Sequence, residues 1–311
     1  MLTFPVPREQ AGQRLDRFIQ ARIPRLSRTR AQEIVKSCAF RANGAPRRAS
    51  ERVREGEIVI LVRPSFDEPE TPRDFGIVFE DEQVLAVDKP AGLPMHPTAT
   101  YHRNTLTYIL GERYGPKPPQ IAHRLDRETS GVVICGKGIE AERALKICFE
   151  RREVSKTYIA ICAGEIPKDE GHIDVPMSSV EEGLHVLMRT REPGQGSPSR
   201  THYQVRARRQ GMTLVELHPE TGRQHQLRVH LAWLGFPIVG DKLYGPEKEQ
   251  PFLDWIETGM TPGLRARLGM ERQALHAWRL TIRHPSREDD LELEAPLPSD
   301  MIELWGGPMP I

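Results

Sequence analysis

A polar loop at residues 122–131 carries the side chains best suited to chemistry. It reads Ala-His-Arg-Leu-Asp-Arg-Glu-Thr-Ser-Gly and runs into the apolar residues 132–135, which predict a buried strand. Within it, Asp126 lies two positions after Arg124 and directly before Arg127. Nearby cations favour the ionised form of a carboxyl group and lower its pKa, as a nucleophile or proton acceptor requires. An isolated Arg-x-Asp-Arg string is more often a surface ion-pair loop, so this interpretation depends on the motifs around it.

Strands and helices alternate irregularly after position 76. The predicted strands cover residues 77–79, 84–87, 131–135, 157–162, 201–208 and 212–217, the first two as a hairpin, and the predicted helices cover 139–149 and 222–234. No regular βαβ unit recurs, so the pattern favours an α+β fold over a doubly wound one.

The charge of the chain is distributed unevenly. Residues 1–64 contain 14 Lys and Arg against 6 Asp and Glu, which leaves 30 against 37 in residues 65–311 and a formal net charge of only +1 overall. A Pro-rich acidic stretch without apolar periodicity separates the two parts and predicts a linker at residues 65–76. We therefore predict a basic domain at residues 1–64, suited to a polyanion, and a larger domain at residues 77–311.

The basic domain is predicted to contain two short helices followed by a small β-element. Ser27 or Thr29 could cap the second helix, and Arg25, Arg28 and Arg30 cluster at its start. The order R-L-D-R-F, L-S-R-T-R-A-Q, N-G and E-G-E-I-V-I resembles the S-four-type RNA-binding domain, named after the ribosomal protein. This resemblance implies a small α+β domain whose three arginines contact RNA phosphates.

The loop around Asp126 matches a longer signature, H-R-L-D-x-x-T-S-G, which resembles that of the RluA family of pseudouridine synthases. Further segments resemble the motifs of that family in the expected order: Lys89-Pro90-Ala91-Gly92, Lys156-Thr157-Tyr158, the run from Gly222 to Leu231 (G-R-Q-H-Q-L-R-V-H-L), Gly240-Asp241-x-x-Tyr244-Gly245, and Arg272-Gln273-Ala274-Leu275-His276-Ala277-Trp278. The resemblance implies a catalytic domain built on a mixed, mainly antiparallel sheet. It also implies the isomerisation of uridine to pseudouridine in RNA.

The resemblance assigns a role to each site residue. Asp126 would be the catalytic carboxylate and Arg228 its ion-pair partner, while Tyr158 would stack on the base and accept the proton from carbon five. Arg124 would enter the RNA helix where the uridine has left it, since the anomeric carbon is unreachable inside a stacked helix. The reaction involves neither redox change nor net group transfer, so we expect no cofactor and no metal.

Other sites remain as alternatives on the same residue types. A hydrolytic glycosidase places two carboxylates across the scissile bond, and Glu128 could be the second. His218, His225 and His230 could suggest a metal site, but their spacing is not of the H-E-x-x-H type. We expect these histidines to serve packing or RNA contact instead.

The RNA target cannot be deduced from the residues. Family members with such an N-terminal domain mostly modify large-subunit ribosomal RNA, while others act on transfer RNA. A non-catalytic RNA-binding or ribosome-assembly protein is the alternative from another class, but such a protein should have lost Asp126, Tyr158 or Arg228. Four scattered cysteines and the absence of a secretory signal predict a cytoplasmic protein, and the shortness of every apolar run predicts no membrane contact. We also expect a monomer.

Overall fold

The computed structural model divides the chain into two units, Met1–Asp67 and Glu68–Ile311. It describes residues 2–23, 26–41, 45–62, 68–98, 100–180, 184 and 186–311. Arg25 and the predicted turn at Asn43 and Gly44 lie outside these described residues.

The first unit consists of two helices and a small antiparallel sheet. Its elements are β1 (Leu2–Pro5), a 3-10 turn (Arg8–Gln10), α1 (Leu15–Arg22), α2 (Arg28–Cys38), β2 (Ala39–Phe40) and β3 (Ile58–Leu61), with strand order β1-β3-β2. The core contains Phe18 from α1 and Val35 from α2, both fully buried, as the apolar spacing of these helices predicted. Ser27 caps α2, because its side-chain oxygen accepts a hydrogen bond from the backbone N–H of Arg30 at 3.2 Å.

The second unit is built on a large mixed sheet. Its strands are β4 (Gly76–Glu80), β5 (Val84–Lys89), β6 (Gln120–Ile121), β7 (Ser130–Gly136), β8 (Val154–Ala163), β9 (Glu170–Asp174), β10 (Met177–Ser179), β11 (Met188–Thr190), β12 (Arg200–Arg209), β13 (Met212–Pro219), β14 (Leu275–Arg283) and β15 (Asp290–Glu294). Its helices are α3 (Leu106–Tyr114), α4 (Ile139–Arg151), α5 (Gln226–Trp233), α6 (Gln250–Thr258), α7 (Pro262–Leu268) and α8 (Ser299–Trp305).

Within the described residues, ten of these strands share one sheet, with β10 and β11 forming a separate hairpin. The path runs β4-β5-β7-β14-β8-β13-β12-β9, with β15 beside β14 and β6 beside β7. Every pairing is antiparallel except that of β7 with β14. This mixed, mainly antiparallel arrangement confirms the α+β fold class. None of the helices in the described ranges combines the length and the apolar character needed to span a bilayer.

The start of α5 differs from the prediction. The predicted helix began at residue 222, whereas α5 begins at Gln226, and His225 before it has a left-handed backbone with φ 55°. The Gln226 side chain explains the difference, since its amide oxygen accepts hydrogen bonds from the Thr221 hydroxyl at 2.7 Å and the Arg223 N–H at 3.1 Å. These bonds hold residues 221–223 as a loop. The predicted hairpin of β4 and β5 and the helix at α4 are confirmed.

Gly131 lies where the polar loop enters β7, at the parallel contact with β14. Its φ is +113°, and a Cβ placed there would lie 2.1 Å from the carbonyl oxygen of Ala277. Only glycine accommodates both the backbone conformation and this close approach. This close contact therefore fixes the position at which the loop containing Asp126 joins β7.

We predict that Gly131→Ala lowers the free energy of unfolding by about 3 kcal/mol or more, because it adds overpacking to a strained backbone. Gly211→Ala is the matched control, since Gly211 has φ +72° but no atom within 4 Å of an added Cβ. It should cost only about 1–2 kcal/mol. Urea unfolding of both variants measures the difference, and equal losses would show that the approach to Ala277 contributes nothing.

Candidate active site

A cleft of about 560 Å³ opens in the second unit beside the loop at residues 122–131. Its walls come from this loop, the end of α4, the first half of β8, and residues 219–228 leading into α5. Asp126, Tyr158, Arg228 and Arg124 all line it. The structure thus brings together four of the predicted site residues, although they are widely separated in sequence.

An ion-pair network joins Asp126 to α5. Arg228 Nη1 donates to Asp126 Oδ2 at 3.0 Å, while Arg228 Nε and Nη2 donate to the two carboxylate oxygens of Asp241 at 2.7 and 2.9 Å. The side chains of Arg228 and Asp241 are 7% and 0% exposed, and that of Asp126 is 20% exposed. The planar guanidinium therefore bridges a fully buried carboxylate and one that faces the cleft.

The pKa of the Asp126 carboxyl lies below its ordinary value. Burial alone would raise this pKa. The electrostatic interactions with His225 and Arg228 and the hydrogen bonds from Arg228 and Gln273 lower it by more than burial raises it. Burial also lowers the pKa of His225 to about 4, so this imidazole is neutral near pH 7. Arg228 is then the cation that keeps Asp126 ionised at neutral pH.

The expectation that the flanking arginines supply this charge was wrong. Arg127 turns away from Asp126 and donates to the Tyr101 hydroxyl at 2.7 Å and to Glu128 at 3.0 Å, and its guanidinium lies 4.6 Å from the ring centre of Trp255. Arg124 is exposed at the cleft. Residues 127 and 128 form a turn, in which the Thr129 N–H donates to the Asp126 carbonyl at 3.1 Å, so the Arg127 side chain leaves the chain in another direction and does not pair with Asp126.

The carboxylate of Glu128 forms an ion pair with Lys242. The Lys242 ammonium donates to both of its carboxylate oxygens at 2.9 Å. This pairing gives Glu128 a structural role in holding the loop. It does not support the alternative of a second hydrolytic carboxylate.

Two buried side chains, neither of which was predicted to have a role, form hydrogen bonds to the loop at residues 122–131. Lys89 is fully buried and donates to the backbone oxygens of Pro90, Leu93 and Arg127 at 2.8, 3.0 and 3.1 Å. Burial lowers the pKa of Lys89 to about 7. Gln273 donates to the Thr129 hydroxyl at 2.8 Å and approaches Asp126 Oδ2 at 3.5 Å. Lys89 and Gln273 both lie in segments that resemble motifs of the family, and this resemblance was the only sign in the sequence that they could belong to the site.

Tyr158 lies on β8 with its ring half-buried at the cleft. Burial and the charge of Asp126 raise the pKa of its hydroxyl far above the ordinary value. Lys156 lies two positions earlier on the same strand, and burial together with the charge of Arg152 lowers its pKa to about 8. The phenol is therefore neutral near pH 7 and can accept a proton only while releasing its own.

The remaining predicted residues lie elsewhere. Arg28 and Arg30 are exposed at the start of α2 in the first unit, where Arg30 pairs with Glu33 at 2.8 Å. His230 is buried, and its Nδ1 is hydrogen-bonded to the Thr201 hydroxyl at 2.9 Å. His218 Nε2 lies 2.9 Å from a carboxylate oxygen of Glu216. These two histidines have packing roles, and among the three only His225 lines the cleft.

Comparison with known proteins agrees with this geometry. Residues 83–233 match the family model described as RNA pseudouridylate synthase. The chain is 35% identical to the RNA pseudouridine synthase YlyB of Bacillus subtilis, over 95% of this chain and 94% of that protein. It is 34% identical to the ribosomal large subunit pseudouridine synthase D of Nitrosomonas europaea, over 96% of this chain and 85% of that protein.

A solved human structure, RNA pseudouridylate synthase domain containing 1, is 27% identical with a TM-score of 0.60 and covers 78% of this chain and 93% of its own. The sequence identity to the bacterial enzymes extends over nearly the whole of both chains, and the fold is shared with the human protein. The chain belongs to the RNA pseudouridylate synthase family and is a pseudouridine synthase, an isomerase.

Proposed function

We propose that this enzyme converts specific uridines of large-subunit ribosomal RNA to pseudouridine, with Asp126 as the catalytic carboxylate. The observation that carries the catalytic assignment is the ion pair of Arg228 with Asp126 at the cleft, at 3.0 Å. The ribosomal substrate is supported by the name of the relative from Nitrosomonas europaea, which is a large-subunit enzyme. Four free cysteines suit a reducing compartment, and the proposal includes the cytoplasm and a monomeric enzyme.

Asp126 has the properties that breaking the glycosidic bond requires. The carboxylate is ionised because Arg228 pairs with it, and it is accessible because a fifth of its surface remains exposed. The reaction breaks the bond between nitrogen one and the sugar, and then forms a bond between carbon five and the same sugar carbon. The buried Asp241 holds the other edge of the guanidinium, so the pair stays oriented while uracil turns.

Tyr158 is proposed to stack on the uracil and to take part in the late proton transfer. Its hydroxyl is neutral near pH 7, since burial and Asp126 raise its pKa. It would therefore accept the proton from carbon five while its own proton passes to solvent in the open cleft. Arg124 is proposed to occupy the space that the extruded uridine leaves, because it is exposed at the cleft on the same loop.

The first unit is proposed to be the S-four-type RNA-binding domain. Its supporting features are the two helices on a small sheet and the exposed Arg28 and Arg30 at the start of α2. The exposed Lys36 and Arg48 line a shallow groove on this unit. Arg25 completes the proposed set, although it lies outside the described residues. Such a surface suits phosphate oxygens.

Asp126→Asn is expected to abolish isomerisation while RNA affinity stays nearly unchanged, because it keeps the size of the side chain and removes its charge. Arg228 retains Asp241, so the fold should persist. Asp169→Asn is the matched control, since the Asp169 side chain is 86% exposed and does not line the cleft. Turnover of Asp126→Asn within about tenfold of wild type, or ~1.4 kcal/mol in the barrier, would contradict the assignment.

The substrate proposal is tested by mapping pseudouridines in total RNA from cells with and without the gene. Sites that disappear from large-subunit ribosomal RNA would support it. Sites that disappear only from transfer RNA would identify transfer RNA as the substrate instead.

Tyr158→Phe is expected to bind RNA and form the carbon–carbon bond, yet release little finished pseudouridine. The ring that stacks on the base is kept, at about 1–3 kcal/mol, while the hydroxyl is removed. Single-turnover samples are quenched, digested and separated by chromatography, since intermediate and product have equal mass and differ only in retention. Wild-type turnover would leave Tyr158 as a stacking residue alone.

Removing charge at Arg28 and Arg30 together should weaken RNA binding and reduce its salt dependence. The log–log slope should lose roughly 0.7–0.9 per phosphate contact removed. Arg267→Gln is the control, because Arg267 already pairs with Glu247 and Asp254. An unchanged slope in the double variant would show that the charge at the start of α2 is not used on RNA.

A further inference from the structure

The hydroxyl of Tyr244 connects the β10–β11 hairpin to the cleft. It accepts a hydrogen bond from the backbone N–H of Met188, the first residue of β11, at 2.9 Å. It also lies 2.7 Å from Nδ1 of His225. The hairpin belongs to a segment in which family motifs are sparse, and neither Tyr244 nor His225 has a part in the function proposed above.

The direction of these hydrogen bonds determines which imidazole nitrogen carries the proton. A backbone N–H can only donate, so Met188 occupies a lone pair of the hydroxyl oxygen. Arg228, whose guanidinium lies 5.0 Å from the Tyr244 ring centre, offers no acceptor. The hydroxyl oxygen keeps a second lone pair, so the position of Asp126 decides between the two tautomers: its ionised carboxylate can only accept, and His225 Nε2 lies 3.8 Å from Oδ2. The imidazole is neutral, its pKa lowered to about 4 by burial, and it therefore carries its one proton on Nε2 and accepts the Tyr244 hydroxyl hydrogen at Nδ1.

The Nε2–H of His225 faces Oδ2, the carboxylate oxygen of Asp126 that Arg228 binds. His225 Nε2 lies 3.8 Å from Asp126 Oδ2, the oxygen that Arg228 meets at 3.0 Å and Gln273 at 3.5 Å. Within the described part of the chain, the side-chain donors that reach this carboxylate all converge on Oδ2. Oδ1 is consequently the oxygen left available to a substrate in the cleft.

The backbone of His225 supports a specific role for this side chain. Its φ of 55° and ψ of 15° lie in the left-handed region, which is disfavoured for a residue with a Cβ. The strained residue directs a side chain only 10% exposed into the cleft wall. Strain of this kind at a site is retained when the surrounding structure holds it in place.

We propose that His225 and Tyr244 are positioning residues that present a fixed Nε2–H to Asp126 and thereby turn Oδ1 toward the uridine. The proposal rests on the proposed role of Asp126. The hairpin takes part through the N–H of Met188, which orients the Tyr244 hydroxyl. The pair acts on Asp126 and performs no proton transfer of its own.

The first test is Tyr244→Phe, which keeps the ring over Arg228 and removes the hydroxyl. We expect the single-turnover rate to fall by about tenfold, with RNA affinity and melting temperature close to wild type. Tyr203→Phe is the matched control, because Tyr203 is buried on β12 in the hydrophobic core. A wild-type rate for Tyr244→Phe would overturn the proposal.

His225→Asn forms the second arm. Asn tolerates a left-handed backbone and can still reach the Tyr244 hydroxyl, but it lacks the Nε2–H. Its rate should fall about as far as that of Tyr244→Phe, and the double variant should be no slower than either single variant, since both remove one function. Rate losses that multiply in the double variant would show that the two residues act separately.

The proton location itself can be observed by nitrogen NMR of histidine-labelled enzyme, with His225→Asn identifying the resonance. We expect a protonated Nε2 and an unprotonated Nδ1 in wild type, and loss of this signature in Tyr244→Phe. A proton on Nδ1 in wild type would overturn the proposal. If Asp126→Asn is inactive while Tyr244→Phe is not impaired, only this inference fails; an active Asp126→Asn would instead reject the proposed function.

Discussion

The architecture of the site depends on one guanidinium shared between two carboxylates. Arg228 holds the buried Asp241 with two donors and Asp126 with a third, and Asp241 accepts further bonds from the N–H groups of Leu243 and Tyr244. Removing one partner from such a buried network typically costs about 3–5 kcal/mol, because it leaves a charge uncompensated. The network therefore requires α5, the 241–244 turn and the loop of Asp126 to keep one mutual arrangement.

The sheet provides that arrangement through its strand order. β14 is inserted between β7 and β8, so the strand that follows Asp126 and the strand that carries Tyr158 have a common neighbour. Gln273, just before β14, contacts the loop through Thr129. Lys89 at the end of β5 binds the same loop through the carbonyl of Arg127. Rigid strands on several sides thus limit the movement of the loop that carries Asp126, as the proposed positioning of a reactive group requires.

The two units carry their charges in different settings. The larger unit contains a cleft with buried, paired charges, where a low dielectric strengthens each electrostatic contact. The first unit carries Arg28 and Arg30 on the surface, where salt screens them. Under the function proposed above, affinity and chemistry would depend on these different kinds of charge, and variants in the two units would have separate effects.

Much of this protein could be predicted from local sequence. The α+β class followed from the irregular order of apolar runs. The reaction followed from the motif around Asp126 together with the other family-like segments in the expected order. The six strands predicted after position 76 and α4 were found within a few residues, since period-two and helical spacing are local properties. Six further strands in the described residues of the second unit, β14 at the centre of the sheet among them, were not predicted. The start of α5 was not, because the side chain of Gln226 holds the preceding loop by contacts that periodicity does not reveal.

The family resemblance implied the pair of Arg228 with Asp126, but only the tertiary structure showed where the neighbouring charges lie. Arg127 is adjacent to Asp126 yet lies against Trp255, whereas Arg228, 102 positions away, forms the ion pair. The tautomer inferred for His225 likewise follows from its contacts with Asp126 and Tyr244, which spacing does not reveal. Side-chain direction depends on strand order and on the turns between strands. These are properties of long-range packing, so residue type and spacing could name the participants but not pair them.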